Sequence, residues 1–448
     1  MQLLVLWRLP WFCDNDCFDA LPDRFVPGQF FRERNLGPTL QEALIPRGVL
    51  KAHQGSGLNT INGQLFGMLA SAPLQEVFPA TQTREKSSKH YPALDGLRGI
   101  AILAVFFSHF GGGHKSTNLV IRIWSHVADA GWIGVDLFFV LSGFLITGIL
   151  LDTAHQENRA KNFYARRALR IFPLFYGVLF GFLLLTPVLH LQWRAGHLLY
   201  FFYLSNMIPV LAPGLPSPGT SVGLVHLWSL AVEEQFYLLW PFAVWFIKDR
   251  KKLLRICLAI MAFALVLRII LVMRGVDPFI VYSLLFTRAD SLICGSALAI
   301  LVRDPSQRQL PIKWVLPLTG ASTLGLFLLS HSGSHEAPLI STLGYTLIAL
   351  FCACLVYGAQ QGKGWIAAIS NHRWLRFFGR YSYGLYIYHG LLVVFLFPLV
   401  YPIQQLVHSV LWGSILYLLF SLGLTLAIAM TSYHLVEAPI LKLKKRFS

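Results

Sequence analysis

The chain has 448 residues, of which 55% are apolar and only 13% charged, with a mean hydropathy of +0.57. A soluble domain carries about 25% charged residues, so lipid is the expected solvent for most of this protein. The formal charge of +16 does not point to nucleic acid, because the Lys and Arg stand in short clusters between apolar runs, the pattern of cytoplasmic loops facing anionic lipid.

Residues 1–90 mix Pro, Gly, charges and scattered aromatics without a sustained period, and no stretch there reaches membrane length or offers a signal-peptide cleavage site. Two expectations stand side by side. This segment is a disordered cytoplasmic extension, or the natural start is Met68 and residues 1–67 are a translation artefact. Cys13 and Cys17 have CxxxC spacing without a second pair, and Cys257, Cys294, Cys352 and Cys354 lie in apolar runs. Neither a disulfide framework nor a metal site is expected.

From residue 91 the hydropathy pattern predicts an all-α, polytopic integral membrane domain (91–441) and a basic cytoplasmic tail (442–448). Spans are expected near 94–110, 131–151, 169–189, 224–247, 253–273, 281–302, 314–330, 339–358, 382–400 and 412–436, each close to bilayer length. A further apolar piece, 197–211, is short and ends in the run APGLPSPGTSVG. If it crossed the membrane, KDRKK (248–252) would lie outside. If it does not, KDRKK, Arg303, Lys313, Lys363, Arg373, Arg380 and KLKKR (442–446) all fall inside. Ten spans with both termini cytoplasmic, in the inner membrane, is therefore the expectation, with 197–211 re-entrant or interfacial.

Charges inside spans are costly unless paired or facing a cavity, so each marks a candidate site. Arg98 opens the first span, and ARRALR places Arg167 and Arg170 on one face at the start of the third. Singly, each is an ordinary inside anchor; together they suit an anion such as phosphate. Glu437, at the inner end of the last span, either orients them or forms a simple interfacial salt bridge.

The opposite layer is acid–base in character. His109 closes the first span, eleven residues and about 16 Å from Arg98 on nearly the same helix face. Asp136 lies early in the second span, and HLWSLAVEEQ opens the fourth with His226, Trp228, Ser229, Glu233 and Glu234, of which His226, Trp228, Ser229 and Glu234 are expected on the acceptor side or lining a cavity. A His with acids at matching depth favours proton chemistry over a purely structural role. Arg288 and Asp290 are two residues apart and so do not face each other; each requires another partner. Asp290 and His389, the latter within YSYGLYIYHG, are read as internally paired or cavity-lining residues.

The segments LDGLRGIAILAVFFSHF, GVDLFFVLSGFLIT, FYARRALRIFPLFY, HLWSLAVEEQFYLLWP, RADSLICGSALA and GRYSYGLYIYHG occur in this order over residues 91–441. In this the chain resembles the acyltransferase-3 family of polytopic membrane O-acyltransferases. The family's Arg-x10-His motif falls on Arg98 and His109, its Arg-x-x-Arg motif on Arg167 and Arg170, and its acidic second-span position on Asp136. Its His-x-Trp-Ser-Leu-x-x-Glu-Glu segment falls on His226 to Glu234.

The resemblance implies transfer of an acyl group, acetyl above all, from cytoplasmic acyl-CoA to a hydroxyl of a carbohydrate or lipid-linked glycan at the outer side, with no tightly bound cofactor. On that reading the arginines hold the donor's phosphates and His109 is the general base. Asp136, or alternatively Glu233, orients its imidazole. Ser108 lies about 100° away on the helix, so direct attack on the thioester is expected rather than a covalent acyl-enzyme. The rival reading is a proton-coupled transporter or flippase, which would also use intramembrane His, Asp and Glu.

Overall fold

The computed structural model describes residues 91–447 apart from 112–117, 217, 219–222 and 305–309. The expectations for residues 1–90 lie outside the described residues. The described chain is helical, without a strand. Its long helices are α1 (Pro92–Phe110), α2 (Leu119–Asp129), α3 (Ile133–Asp152), α4 (Arg159–Leu184), α5 (Trp228–Phe246) and α6 (Arg250–Met273). They continue with α7 (Leu285–Val302), α8 (Ile312–Ser330), α9 (Tyr345–Gln360), α10 (Arg373–Leu396) and α11 (Val410–Ser432).

Among the described residues nine stretches are long and apolar enough to cross a membrane; α2 and α3 share one of them, Leu119–Asp152, and only α5 belongs to none. The expected tenth span, α5, is present as a helix of 19 residues but falls short on apolarity. It is the helix that carries Glu233 and Glu234. Local chemistry sets the helix starts: Pro92 occupies the first turn of α1, and the Asp249 carboxylate accepts from the Lys251 and Lys252 amides at the start of α6. The 197–211 piece does not span. It forms turns of three or four residues, anchored where the Gln235 amide donates to the Asn206 side chain (2.7 Å) and the Tyr203 carbonyl (2.8 Å).

Two helix crossings place the site, and glycine makes both. In lipid, association depends on close packing, which favours small residues at contacts. Where α1 crosses α10, a Cβ on Gly99 would meet the Leu375 carbonyl oxygen at 2.0 Å, and one on Gly379 the Asp95 oxygen at 1.8 Å. Where α3 crosses α7, a Cβ on Gly143 would meet the Leu292 oxygen at 1.8 Å, and one on Gly295 the Val140 oxygen at 2.0 Å. These helices therefore touch backbone to backbone.

α7 is the most enclosed span, with 78% of its apolar window buried, whereas α8 has 6% and faces outward. At one end of the bundle Arg303 forms a two-pronged ion pair with Asp152 (2.8 and 2.9 Å), tying α7 to α3. The basic segment Lys442–Phe447 is not a free tail: it forms a 3-10 turn whose Phe447 carbonyl accepts from Arg166 Nε at 2.5 Å.

Candidate active site

Helix α10 runs parallel to α1 through their glycine contact, and one of its faces carries Ser382, Tyr383, Tyr386 and His389 at helical spacing. These side chains divide the interior into two compartments. Ser382, Tyr383 and Tyr386 line a cleft with Arg98, Arg167, Arg170, Ser142, Ser229, Glu233, Glu234 and Tyr237; its empty space, counted with its mouth, is about 730 Å³. His389, one turn further along, stands with His109 and His226.

The cleft joins cations to hydrogen-bonded acids. Arg98 interacts electrostatically with both Arg170 and Arg167. The Arg167 guanidinium lies 4.8 Å from the centre of the Tyr237 ring. Tyr237 donates to Ser142 Oγ (3.0 Å), and Ser142 in turn donates to Glu233 Oε1 (2.5 Å). Glu437 ends a π-helical turn, Tyr433–Glu437, and is an electrostatic partner of Arg170. One oxygen each of Glu234 and Glu437 is buried without a hydrogen bond. The expected convergence of Arg98, Arg167 and Arg170 is thus present. Lys444, in the basic segment after the last span, adds a fourth cation to the group.

The second compartment is built from imidazoles. The His109 and His389 ring centres are 4.9 Å apart and those of His226 and His389 5.2 Å, both edge-to-face. His109 Nδ1 lies 2.9 Å from the Val105 carbonyl oxygen. A carbonyl only accepts, so Nδ1 carries the hydrogen and Nε2 keeps its lone pair. His109 is exposed as a residue, and among the described residues no hydrogen bond is made to Nε2. His226 Nε2 lies 3.1 Å from the Ile387 oxygen. A Cβ on Gly390 would sit 2.1 Å from His226 Nδ1, so the glycine after His389 makes room for this ring. The Tyr386 hydroxyl, hydrogen-bonded to Ser229 and donating to the His226 carbonyl (3.2 Å), links the cleft lining to the histidine group.

Three sequence-based placements are corrected. Asp136 does not orient His109: Oδ1 accepts from Arg288 (2.7 Å) and Ser291 (2.7 Å), all three fully buried, because this face of α3 packs on α7. Glu233 is not level with the histidines either. Helix α5 runs antiparallel to α1, and two turns, about 10 Å, carry Glu233 from His226 into the arginine cleft. Asp290 takes the first of its two expected places, internal pairing: it bonds Arg268 (2.8 Å), Thr346 (2.7 Å) and the Ser291 amide (3.0 Å). Trp228 is enclosed by aromatic rings, 4.7 Å from Tyr282 and 6.1 Å from Phe139. The inference that Arg288 and Asp290 each require a different partner holds: Asp136 and Arg268 supply them.

Sequence reasoning did not single out Ser142, Tyr237, Tyr383 or Tyr386. The last two could have been found from their spacing to His389 along one helix face.

An interior with a guanidinium-lined cleft at one end and an uncommitted imidazole nitrogen at the other defines a membrane protein equipped for group transfer. Comparison with known proteins agrees. The acyltransferase-3 family model, described as an acyltransferase domain, matches residues 91–434, and the chain belongs to this family. Its alternative reading as a carrier gives way to that membership.

Peptidoglycan O-acetyltransferase OatA of Listeria monocytogenes is 32% identical over 385 residues, covering 81% of this chain and 57% of the relative. YrhL of Bacillus subtilis, provisionally named a peptidoglycan O-acetyltransferase, is 30% identical over 375 residues, covering 79% and 55%. A Staphylococcus aureus protein provisionally named an O-acetyltransferase is 30% identical over 378 residues, covering 80% and 59%. The chain thus spans less than two thirds of the length of these relatives. No solved structure matches it.

Proposed function

We propose that this protein is an inner-membrane O-acyltransferase that moves an acetyl group from acetyl-CoA to a hydroxyl of a carbohydrate acceptor such as peptidoglycan. The observation that carries this reading is the division of one interior by α10 into an arginine cleft and a histidine compartment. The cleft suits the phosphates of CoA. The two compartments lie along α1, from Arg98 to His109, about 16 Å apart, a distance that the extended pantetheine arm can bridge. The names of the relatives support acetyl as the group and a glycan as the acceptor. The Lys and Arg clusters favour cytoplasmic termini, with the arginine cleft toward the cytoplasm and His109 toward the outer face.

In this reaction His109 Nε2 takes the proton of the acceptor hydroxyl, and the oxygen attacks the thioester carbonyl carbon. The new C–O bond forms, the C–S bond breaks, and the CoA thiolate leaves with the proton returned by His109. Val105 holds the imidazole through its carbonyl, in the place expected for an acid. Direct transfer is favoured over a serine-linked intermediate, because Ser108 is buried and donates to the Val105 carbonyl at 2.8 Å.

The test is transfer of radiolabelled acetyl from acetyl-CoA to glycan fragments by the full chain in liposomes. His109→Ala should lower kcat by about 10²–10⁴-fold, the usual contribution of a general base. Arg98→Ala should raise the donor KM and recover at high donor concentration. Donor binding without consumption by the wild type, across a panel of glycans, would overturn the proposal.

A further inference from the structure

His389 is completely buried, and its Nδ1 lies 3.3 Å from the Leu385 carbonyl oxygen one turn back, so Nδ1 carries the hydrogen. Its Nε2 is then a bare acceptor, and it has no hydrogen-bond partner. An unmet buried acceptor is costly, which calls for a purpose.

The surroundings supply one. His389 meets His109 from α1, His226 from the turn before α5, Tyr386 on its own helix and the apolar Phe106. Among the described residues no carboxylate is hydrogen-bonded to His109; Asp136 is committed to Arg288 and Glu233 to Ser142. When His109 takes up a proton, positive charge appears beside a neutral, edge-to-face imidazole that has an uncommitted lone pair.

We propose that His389 is a positioning residue for His109: a neutral imidazole that stabilises the positive charge developing on His109, in the role a carboxylate usually fills. This rests on the transferase reading. His226 also packs on His389, in the space left by Gly390.

Two readouts on the full chain in detergent test it. The first needs no substrate: carbethoxylation of His109 by diethylpyrocarbonate, followed by mass spectrometry, with exposed His190 and His408 as internal references. His389→Leu should slow modification of His109 several-fold while leaving the references unchanged, and His389→Gln, which keeps an acceptor, should restore most of the rate. The second is turnover: His389→Leu should lower kcat at least tenfold with donor KM unchanged, again with partial rescue by His389→Gln. An unchanged His109 modification rate in His389→Leu, or no rescue by glutamine, overturns the proposal. If the wild type transfers no acetyl group, the transferase reading fails while the modification rates still decide the role of His389.

Discussion

Asp136 and Arg288 form an ion pair of 2.7 Å between two side chains with no exposed surface, on helices whose backbones touch at Gly143 and Gly295. The Arg288 guanidinium also lies 4.1 Å from the centre of the Tyr345 ring and 5.1 Å from that of Tyr282. A charge so enclosed depends on its partner. Asp136→Ala, which strands Arg288, should therefore destabilise the protein by about 3–5 kcal/mol. Replacing both, Asp136→Leu with Arg288→Met, should recover much of that loss. Thermal unfolding in detergent measures it; a double variant no better than Asp136→Ala would contradict the pairing argument.

The backbone contact between α1 and α10 makes a sharper prediction about glycine. Gly379→Ala places a methyl group 1.8 Å from the Asp95 carbonyl oxygen, whereas a Cβ on Gly177 meets nothing within 4 Å. Overpacking of this kind costs about 1–3 kcal/mol or more. Removing an exposed helical glycine gains about 0.5–1 kcal/mol. The yield of monodisperse protein should fall for Gly379→Ala and hold or rise for Gly177→Ala.

Glu233 belongs to the arginine cleft, so its removal should register on the donor. Glu233→Gln keeps an acceptor for Ser142 but deletes a negative charge beside Arg167 and Arg98. On the proposed function, donor KM should fall several-fold, while the pH dependence of kcat that the proposal assigns to His109 stays in place. A displaced kcat profile would return Glu233 to the base.

His335 lies in the loop between α8 and α9, with its ring 4.0 Å from that of Tyr282. Burial, aided by the nearby positive charge of Arg288 and the neighbouring His109, pushes its imidazole down from 6.5 to about 3. Between those values the unfolded chain binds the extra proton, so the stability this residue contributes is whole above pH 6.5 and drains away as pH falls toward 3. His335→Phe keeps the ring contact and removes the titration. From pH 7 to pH 5 the wild-type Tm should fall more steeply than that of the variant; parallel curves would refute the assignment.

Much of this architecture was legible in the sequence, because apolar length and basic flanks are local properties. The spans expected at 253–273 and 314–330 are the helices Arg250–Met273 and Ile312–Ser330. The arginine cluster was legible from three-residue spacing and the positive-inside rule. Partner choice was not, since Asp136 and Arg288 are 152 residues apart and nothing local to either names the other. The depth of Glu233 was recoverable in principle. Its helix descends while α1 ascends, so residues after His226 approach the arginines. The glycine contacts left no trace, because a missing side chain acquires meaning only when the opposing backbone is known.

The interlock of α1 with α10 also divides the working parts mechanically. Arg98 and His109 ride on one member of the pair, and Tyr383, Tyr386 and His389 on the other, with no intervening side chains at Gly99 and Gly379 to act as bearings. That pair behaves as a fixed jaw. The opposing wall bearing Arg167 and Arg170 is α4, a helix with only 22% of its apolar window enclosed and Pro173 within it. On the proposed function, α4 is the wall better placed to give way as a donor enters and leaves, while the pairing of α1 with α10 keeps the surroundings of His109 set.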